Sequence, residues 1–331
     1  MLIHEKFSGA GIQVSGFRFR GVPGLVLALL LGVLVGFSCG AVGQTIYSWT
    51  DEDGITHFTD REPETDREVT IQKAIAEPES ALVVRRVGPD NDPQWLFRNR
   101  LNGPLAVRLS LVDDDNVVSY PALPANFVLA AGEERELVSL GALEPRRGWQ
   151  YRLQTESLPG NPSGGHRPDG PYRPPFASGQ RFPISQAFGG EHSHNSPESH
   201  YAVDIAMPIG TPIHAARGGV VMDTARWFHR TGQDRQRYGP RANYIRILHD
   251  DGSMAVYAHL DYAGVEVHPG QQVATGQRIG RSGNTGYSSG PHLHFVIQVN
   301  RDMALVSVPF EFEGVDQRPL RPRRGLSLEA P

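Results

Sequence analysis

Gly290-Pro291-His292-Leu293-His294-Phe295 does more than any other stretch to limit what this chain can become. A Gly/Ser/Asn run, Ser282 to Ser289, leads into it, and the β-branched stretch Val296-Ile297-Gln298-Val299 follows. That layout is a loop delivering the chain into a β-strand. Residues two apart on a strand share a face, so His292 and His294 point one way while Leu293 and Phe295 point the other. Two imidazoles above an apolar layer suit a metal site or an acid–base pair. The plain alternative is a pair of surface histidines on a half-exposed strand, and only the rest of the chain decides between them.

The rest of the chain is of the same kind. Short alternating apolar runs, broken by 37 Gly and 26 Pro in 331 residues, predict a mainly β protein of two or three domains. A net charge of −4, spread along the chain, singles out no nucleic-acid partner. The single cysteine, Cys39, excludes an intramolecular disulfide and leaves His, Asp and Glu as the metal donors further on.

Taken in order, residues 1–43 have the layout of a secretory signal peptide: Arg18 and Arg20, an apolar run from Val22 to Phe37, then small residues. A retained anchor helix is the alternative, and a lipoprotein anchor at Cys39 a weaker one because Gly36-Phe37-Ser38 is a poor lipobox; all three place the remainder outside the cytoplasm. Residues 44–63, with Tyr47, Trp49 and a turn at Asp53-Gly54, predict a small β-hairpin domain. It resembles a domain of unknown function with a Tyr-x-Trp-x-Asp-x-x-Gly pattern. Residues 64–90 are expected to be a linker. Residues 91–158 predict an immunoglobulin-like β-sandwich from alternating stretches such as Leu105 to Val112 and Glu136 to Leu140. Asp113 to Asn116 is expected to be a solvated turn and not a calcium loop, for it lacks the Gly and the distal Glu. Residues 159–175 are a Pro/Gly-rich boundary, 176–312 the domain holding the histidine strand, and 313–331 an expected disordered tail. This partition predicts that a fragment beginning near Gly170 folds by itself.

Within 176–312, Ser193-His194 and His200 precede the strand-like Tyr201-Ala202-Val203-Asp204-Ile205. Alternation puts His200 and Asp204 on one face, and a carboxylate in so apolar a run is costly unless paired or metal-bound. His259 ends the stretch Ala255-Val256-Tyr257-Ala258-His259-Leu260. His214, His229, His249 and His268 read as structural or exposed. The Arg-rich stretch Trp227 to Ala242 reads as an inserted loop, either a groove wall or simply solvated.

The succession of His and Asp204, Gly210-Thr211-Pro212-Ile213, Tyr257-Ala258-His259-Leu260, Pro269-Gly270-Gln271-Gln272-Val273, Gly283-Asn284-Thr285-Gly286 and Pro291-His292-Leu293-His294-Phe295 resembles the lysostaphin-type (LytM-like) zinc endopeptidases of bacterial cell walls. The resemblance covers roughly residues 180–300. It implies an antiparallel β-sheet domain with a metal in a groove, a Zn2+ cofactor and peptidoglycan as substrate. It implies Asp204 and His294 as zinc ligands, with His194 or His200 as the third. The Ser193-His194 pair before a Tyr-Ala-Val-Asp strand favours His194. It implies His259 and His292 as unligated catalytic histidines. The expected protein is an exported, periplasmic or envelope metalloendopeptidase whose only membrane contact is a possible N-terminal anchor. The competing expectation is a non-catalytic relative that binds the wall or activates an amidase.

Overall fold

The computed structural model describes residues 45–50, 56–59, 62–64, 67–73, 80–89 and 93–331. The leader expected over residues 1–43 and Cys39 lie outside the described residues. Among those described, no helix is long and apolar enough to cross a membrane.

Near the N-terminus, strands Thr45–Thr50, Thr56–Thr59 and Thr70–Lys73 form a three-stranded antiparallel sheet with Thr45–Thr50 in the middle. Tyr47 opposes Thr59 and Trp49 opposes His57, while the turn expected at Asp53-Gly54 lies outside the described residues. The third strand comes from residues expected to be linker. Four residues carry too little alternation to be read as a strand.

A second compact unit begins with the sandwich. One sheet has four strands in the order Leu82–Val87, Gln94–Asn99, Glu134–Ala142, Val117–Tyr120, and the other has three, Gln150–Pro159, Leu105–Asp115, Ala125–Leu129. All neighbours run antiparallel. Trp95, Phe97, Leu105, Val107, Leu109 and Leu129 fill the space between the sheets. Leu82–Val87 corrects the linker expected over 64–90: Arg85-Arg86 hides its alternation, and its pairing with Gln94–Asn99 fixes it. Asp113 to Asp115 belong to a strand, and Asp113 and Asp115 meet Arg152 and Arg147.

The C-terminal domain is built on one large sheet. Its path runs Gln272–Val273, Gly219–Ala225, Asn243–Leu248, Met254–Val265, His292–Arg301, Val203–Ala206, Arg181–Gln186, Ser327–Glu329. Leu293, Phe295, Ile297 and Val299 pack on one side against Tyr257, Ile205 and Phe312, as the alternation of the histidine strand demands. Arg235–Tyr238, a single turn, is the one helix among the described residues.

Residues 313–331 are not a disordered tail. Ser327–Glu329 pairs with Arg181–Pro183 at the sheet edge, and Leu328 and Ala330 are in the core. Three residues of strand among prolines and arginines give no period to read. Residues 159–175 are likewise fixed: the Gly165 N–H donates to Asp251 O and the Arg167 N–H to Asp251 Oδ2.

The sandwich also shares core with the large sheet. Met222 and Met254, both fully buried, belong to the cluster of Leu101, Leu105 and Trp95, with Leu248 and Leu305 beside them. This bears on the fragment expected to fold from Gly170. Full burial of a methionine is worth about 1.5–3 kcal/mol, so exposing two costs about 3–6 kcal/mol. The fragment is expected to melt at least about 6 °C below the corresponding transition of the intact chain. Thermal unfolding by near-UV circular dichroism checks this, and equal melting would show that the sandwich adds nothing to the sheet's stability.

Candidate metal centre

The site starts from register. Gln186 opposes Asp204, Asp204 opposes His294, and His294 opposes Ala258, so these four form one row across four strands. His292 lies two residues along the same face, opposite Ala206. Its neighbours on the other face are core, so the imidazoles can only point out of the sheet.

His194 reaches the row from a loop. Its N–H donates to Gly190 O, and the segment behind it is tied by Ser199 Oγ to Ser193 O. His194, Asp204 and His294 are all buried, and one donor atom from each lies within 4.8 Å of the others. His294 Nδ1 is 2.8 Å and His194 Nε2 3.2 Å from Asp204 Oδ1. His194 Nδ1 is 2.9 Å from Ala187 O, which can only accept, so that nitrogen carries the proton. His194 can keep both contacts only as an imidazolium, or with a cation between Nε2 and the carboxylate. The donor set therefore fits a metal: two imidazole nitrogens and one carboxylate oxygen, with a backbone carbonyl fixing the tautomer of one ring.

Burial opposes the charge on Asp204. The His292 ring and hydrogen bonds from His194 and His294 outweigh it and hold the carboxyl well below the usual carboxylate range. Burial likewise pushes the His294 imidazole down, which favours the neutral ring, and a cation at Nδ1 would take the place of the proton shared there with Asp204.

His200 is not brought into the cluster. It is exposed, edge-on to Tyr201. The strand begins only at Val203; residues before it turn, with the Ser199 and His200 N–H groups both donating to Ser196 O. The alternation that put His200 on the Asp204 face does not extend that far back.

His259 and His292 stand beside the cluster, ring centroids 4.7 Å apart. His259 is the extra residue of a β-bulge: Asn243 opposes Leu260 while Tyr244 opposes Ala258. Its φ of +61° is left-handed, a conformation a side chain holds only where the surroundings enforce it. Asn243 does so, donating from Nδ2 to Phe228 O and Asp261 O. His259 Nδ1 lies 2.7 Å from Thr285 O, and His292 Nδ1 2.7 Å from Gly290 O. Both rings therefore present Nε2 to the site. Burial, with the His292 and His294 rings, pushes the His259 imidazole well down, keeping it neutral.

Sequence reasoning missed Gln186, whose Nε2–H donates to Asp204 Oδ2 at 3.0 Å and to Ser193 Oγ at 2.5 Å. It also missed the Thr285 carbonyl, hidden in what read only as a Gly-rich loop. The inserted stretch Trp227 to Ala242 is docked: Thr231–Gly232 pairs in parallel with Gly286–Tyr287, just before His292. His249 is buried at a hairpin end with Nδ1 on Gly218 O, while His229 and His268 are exposed.

A cluster of His, Asp and His donors on an antiparallel sheet, flanked by two further histidines, suits a catalytic metal. Residues 198–305 match the model for peptidase family M23. Residues 33–83 match a domain of unknown function, DUF4124. The chain is 44% identical over 101 residues, 30% of its length, to the peptidoglycan DD-endopeptidase ShyA of Vibrio cholerae serotype O1. It is 41% identical over 102 residues, 30% of its length, to lysostaphin of Staphylococcus staphylolyticus. These stretches span 20% and 19% of the two relatives. The solved catalytic domain of lysostaphin from Staphylococcus simulans aligns over 37% of this chain and 80% of its own, at 33% identity and a TM-score of 0.27.

Proposed function

We propose that the C-terminal domain is a zinc-dependent endopeptidase that hydrolyses peptide bonds in the stems or cross-links of peptidoglycan. The observation that carries this reading is the buried His194–Asp204–His294 cluster with the His259 and His292 acceptors beside it. Relatives named for peptidoglycan endopeptidase activity support the substrate class.

His194 Nε2, Asp204 and His294 Nδ1 would hold the ion. Zinc, when bound there, supplies Lewis-acid chemistry, acidifying water and polarising a carbonyl. Gln186 orients the Asp204 carboxylate, and Ala187 O fixes the His194 tautomer. His259 and His292, each with its Nδ1–H committed to a carbonyl, can take a proton from water at Nε2. Once protonated, the same Nε2–H can donate to a carbonyl oxygen gaining charge or to the departing amine. In this reading water attacks the carbonyl directly, with no covalent intermediate.

Export to the periplasm or cell envelope is part of the proposal. It is supported by the Arg18/Arg20, apolar and small-residue layout of residues 1–43 and by a substrate that lies outside the cytoplasm.

Chelation is expected to abolish peptide release from purified sacculi, and added zinc to restore it, because all three donors need a deprotonated atom to bind. Turbidity loss and mass spectrometry of the released fragments check both the activity and the bond cut. Full activity after verified metal loss would refute the zinc reading.

A further inference from the structure

We propose that Arg321, Arg323 and Arg324 form an anion subsite that binds a free carboxylate of the peptide substrate, an inference that rests on the peptidase reading above. A cavity of about 1120 Å³ joins the two places: its lining includes Asp204 and His292 at one side and the stretch Arg321 to Arg324 at the other. The residues expected to be a tail thus form a wall of the groove that holds the metal centre.

That wall is rigid in its backbone. The Gly325 N–H donates to Ile184 O and the Ile184 N–H to Leu326 O, both at 2.8 Å. Pro322, between Arg321 and Arg323, is buried, and so is Leu328 beyond Arg324. Only the guanidinium groups are left free, and all three are exposed.

Some exposed arginines of the domain are paired, Arg181 with Glu329, Arg278 with Glu266 and Arg318 with Asp316; what marks Arg321, Arg323 and Arg324 is that three stand together on the lining of the cavity that holds Asp204 and His292. Among the described residues, Arg321, Arg323 and Arg324 have no acidic group within 4.0 Å. Three like charges within four residues repel one another, so a fold gains nothing from them unless an anion arrives. The other acidic groups lining the cavity are Glu191 and Asp204, and Asp204 belongs to the metal cluster. The chain as a whole carries −4, so the positive wall is local to the groove.

Arginine further defines the ligand. A planar guanidinium matches a carboxylate through two parallel N–H···O bonds. The cluster is confined to one wall of a cleft that also holds the metal donors, which suits a peptide lying along the groove better than a broad polyanion. A substrate peptide bearing a free carboxylate would be held there while its scissile bond lies over His194, Asp204 and His294.

The test is a binding measurement on the full-length protein with its metal. The probe is a set of labelled soluble muropeptides, incubated with the protein until no further peptide is released, and the same set with carboxylates converted to carboxamides. By fluorescence anisotropy, the wild type should bind the acid form about 10-fold more tightly than the amide form. Triple substitution Arg321→Gln, Arg323→Gln, Arg324→Gln should bring the two forms to equal affinity. The wild-type preference should shrink as sodium chloride rises. Equal binding of both forms by the wild type, or an undiminished preference in the folded variant, overturns the proposal. Because the readout is binding, failure to cleave would count against the peptidase reading and leave this result standing.

Discussion

Replacing Asp204 with Asn is expected to empty the proposed zinc site, and His194→Ala to do nearly as much, whereas His200→Ala should keep stoichiometric zinc. Asp204 is the hub: its Oδ1 faces His194, His294 and, at 3.7 Å, His292. Asn keeps the shape and loses the charge, so any loss reports the carboxylate and not a cavity. Partners that merely orient ligands cost about 10–100-fold in metal affinity, so loss of a ligand should exceed about 100-fold. His200 has no such role open to it, being exposed and turned towards Tyr201. Competitive zinc titration of the three variants separates them. If His200→Ala empties the site while His194→Ala retains it, the loop around His194 rearranges on metal binding and the geometry above is not that of the loaded protein.

Much of this centre was legible because it rests on strand periodicity. His292 and His294 share a face, Leu293 and Phe295 share the core, and Asp204 sits between apolar neighbours; two-residue alternation states all of that without a structure. His194 and His200 could not be separated by alternation. Which of them lies on the Asp204 face depends on where the strand begins, and a turn tied to Ser196 O ends the alternation before His200. Gln186 was invisible for another reason: its role comes from pairing with Asp204 across 18 residues, and no local pattern encodes a partner. The same holds for Ser327–Glu329, a strand only because Arg181–Pro183 offers an edge. The shared core of Met222 and Met254 with the sandwich was unreadable for the same cause, since each methionine sits in a strand that looks complete by itself. Local period was readable; long-range pairing was not, and the arginine wall of the groove is a product of such pairing.

His259→Ala and His292→Ala are each expected to retain the metal and lose about 10²–10⁴-fold in turnover, the range for a positioned acid–base or oxyanion group. The structure refines what each can do. An imidazole that spends its Nδ1–H on a carbonyl is, while neutral, only an acceptor at Nε2. His259 therefore cannot donate to an oxyanion until it has taken a proton, and the same is true of His292. Matching tautomers thus make base and oxyanion donor consecutive states of either ring. The pH dependence follows in sign. Burial and the neighbouring imidazoles hold the His259 pKa well below 6.5, and a cation in the cluster would push the same way. Its neutral, proton-accepting form is thus present at neutral pH and persists as pH falls through 6.5, disappearing only in more acid solution. The acid limb of kcat/KM should accordingly lie below pH 6.5. Zinc content of both variants and a wild-type pH profile on sacculi-derived peptides check the argument together. A variant that stays folded but loses its metal would make that histidine a ligand. An acid limb above pH 6.5 would mean that neither its burial nor its neighbours govern the proton that matters.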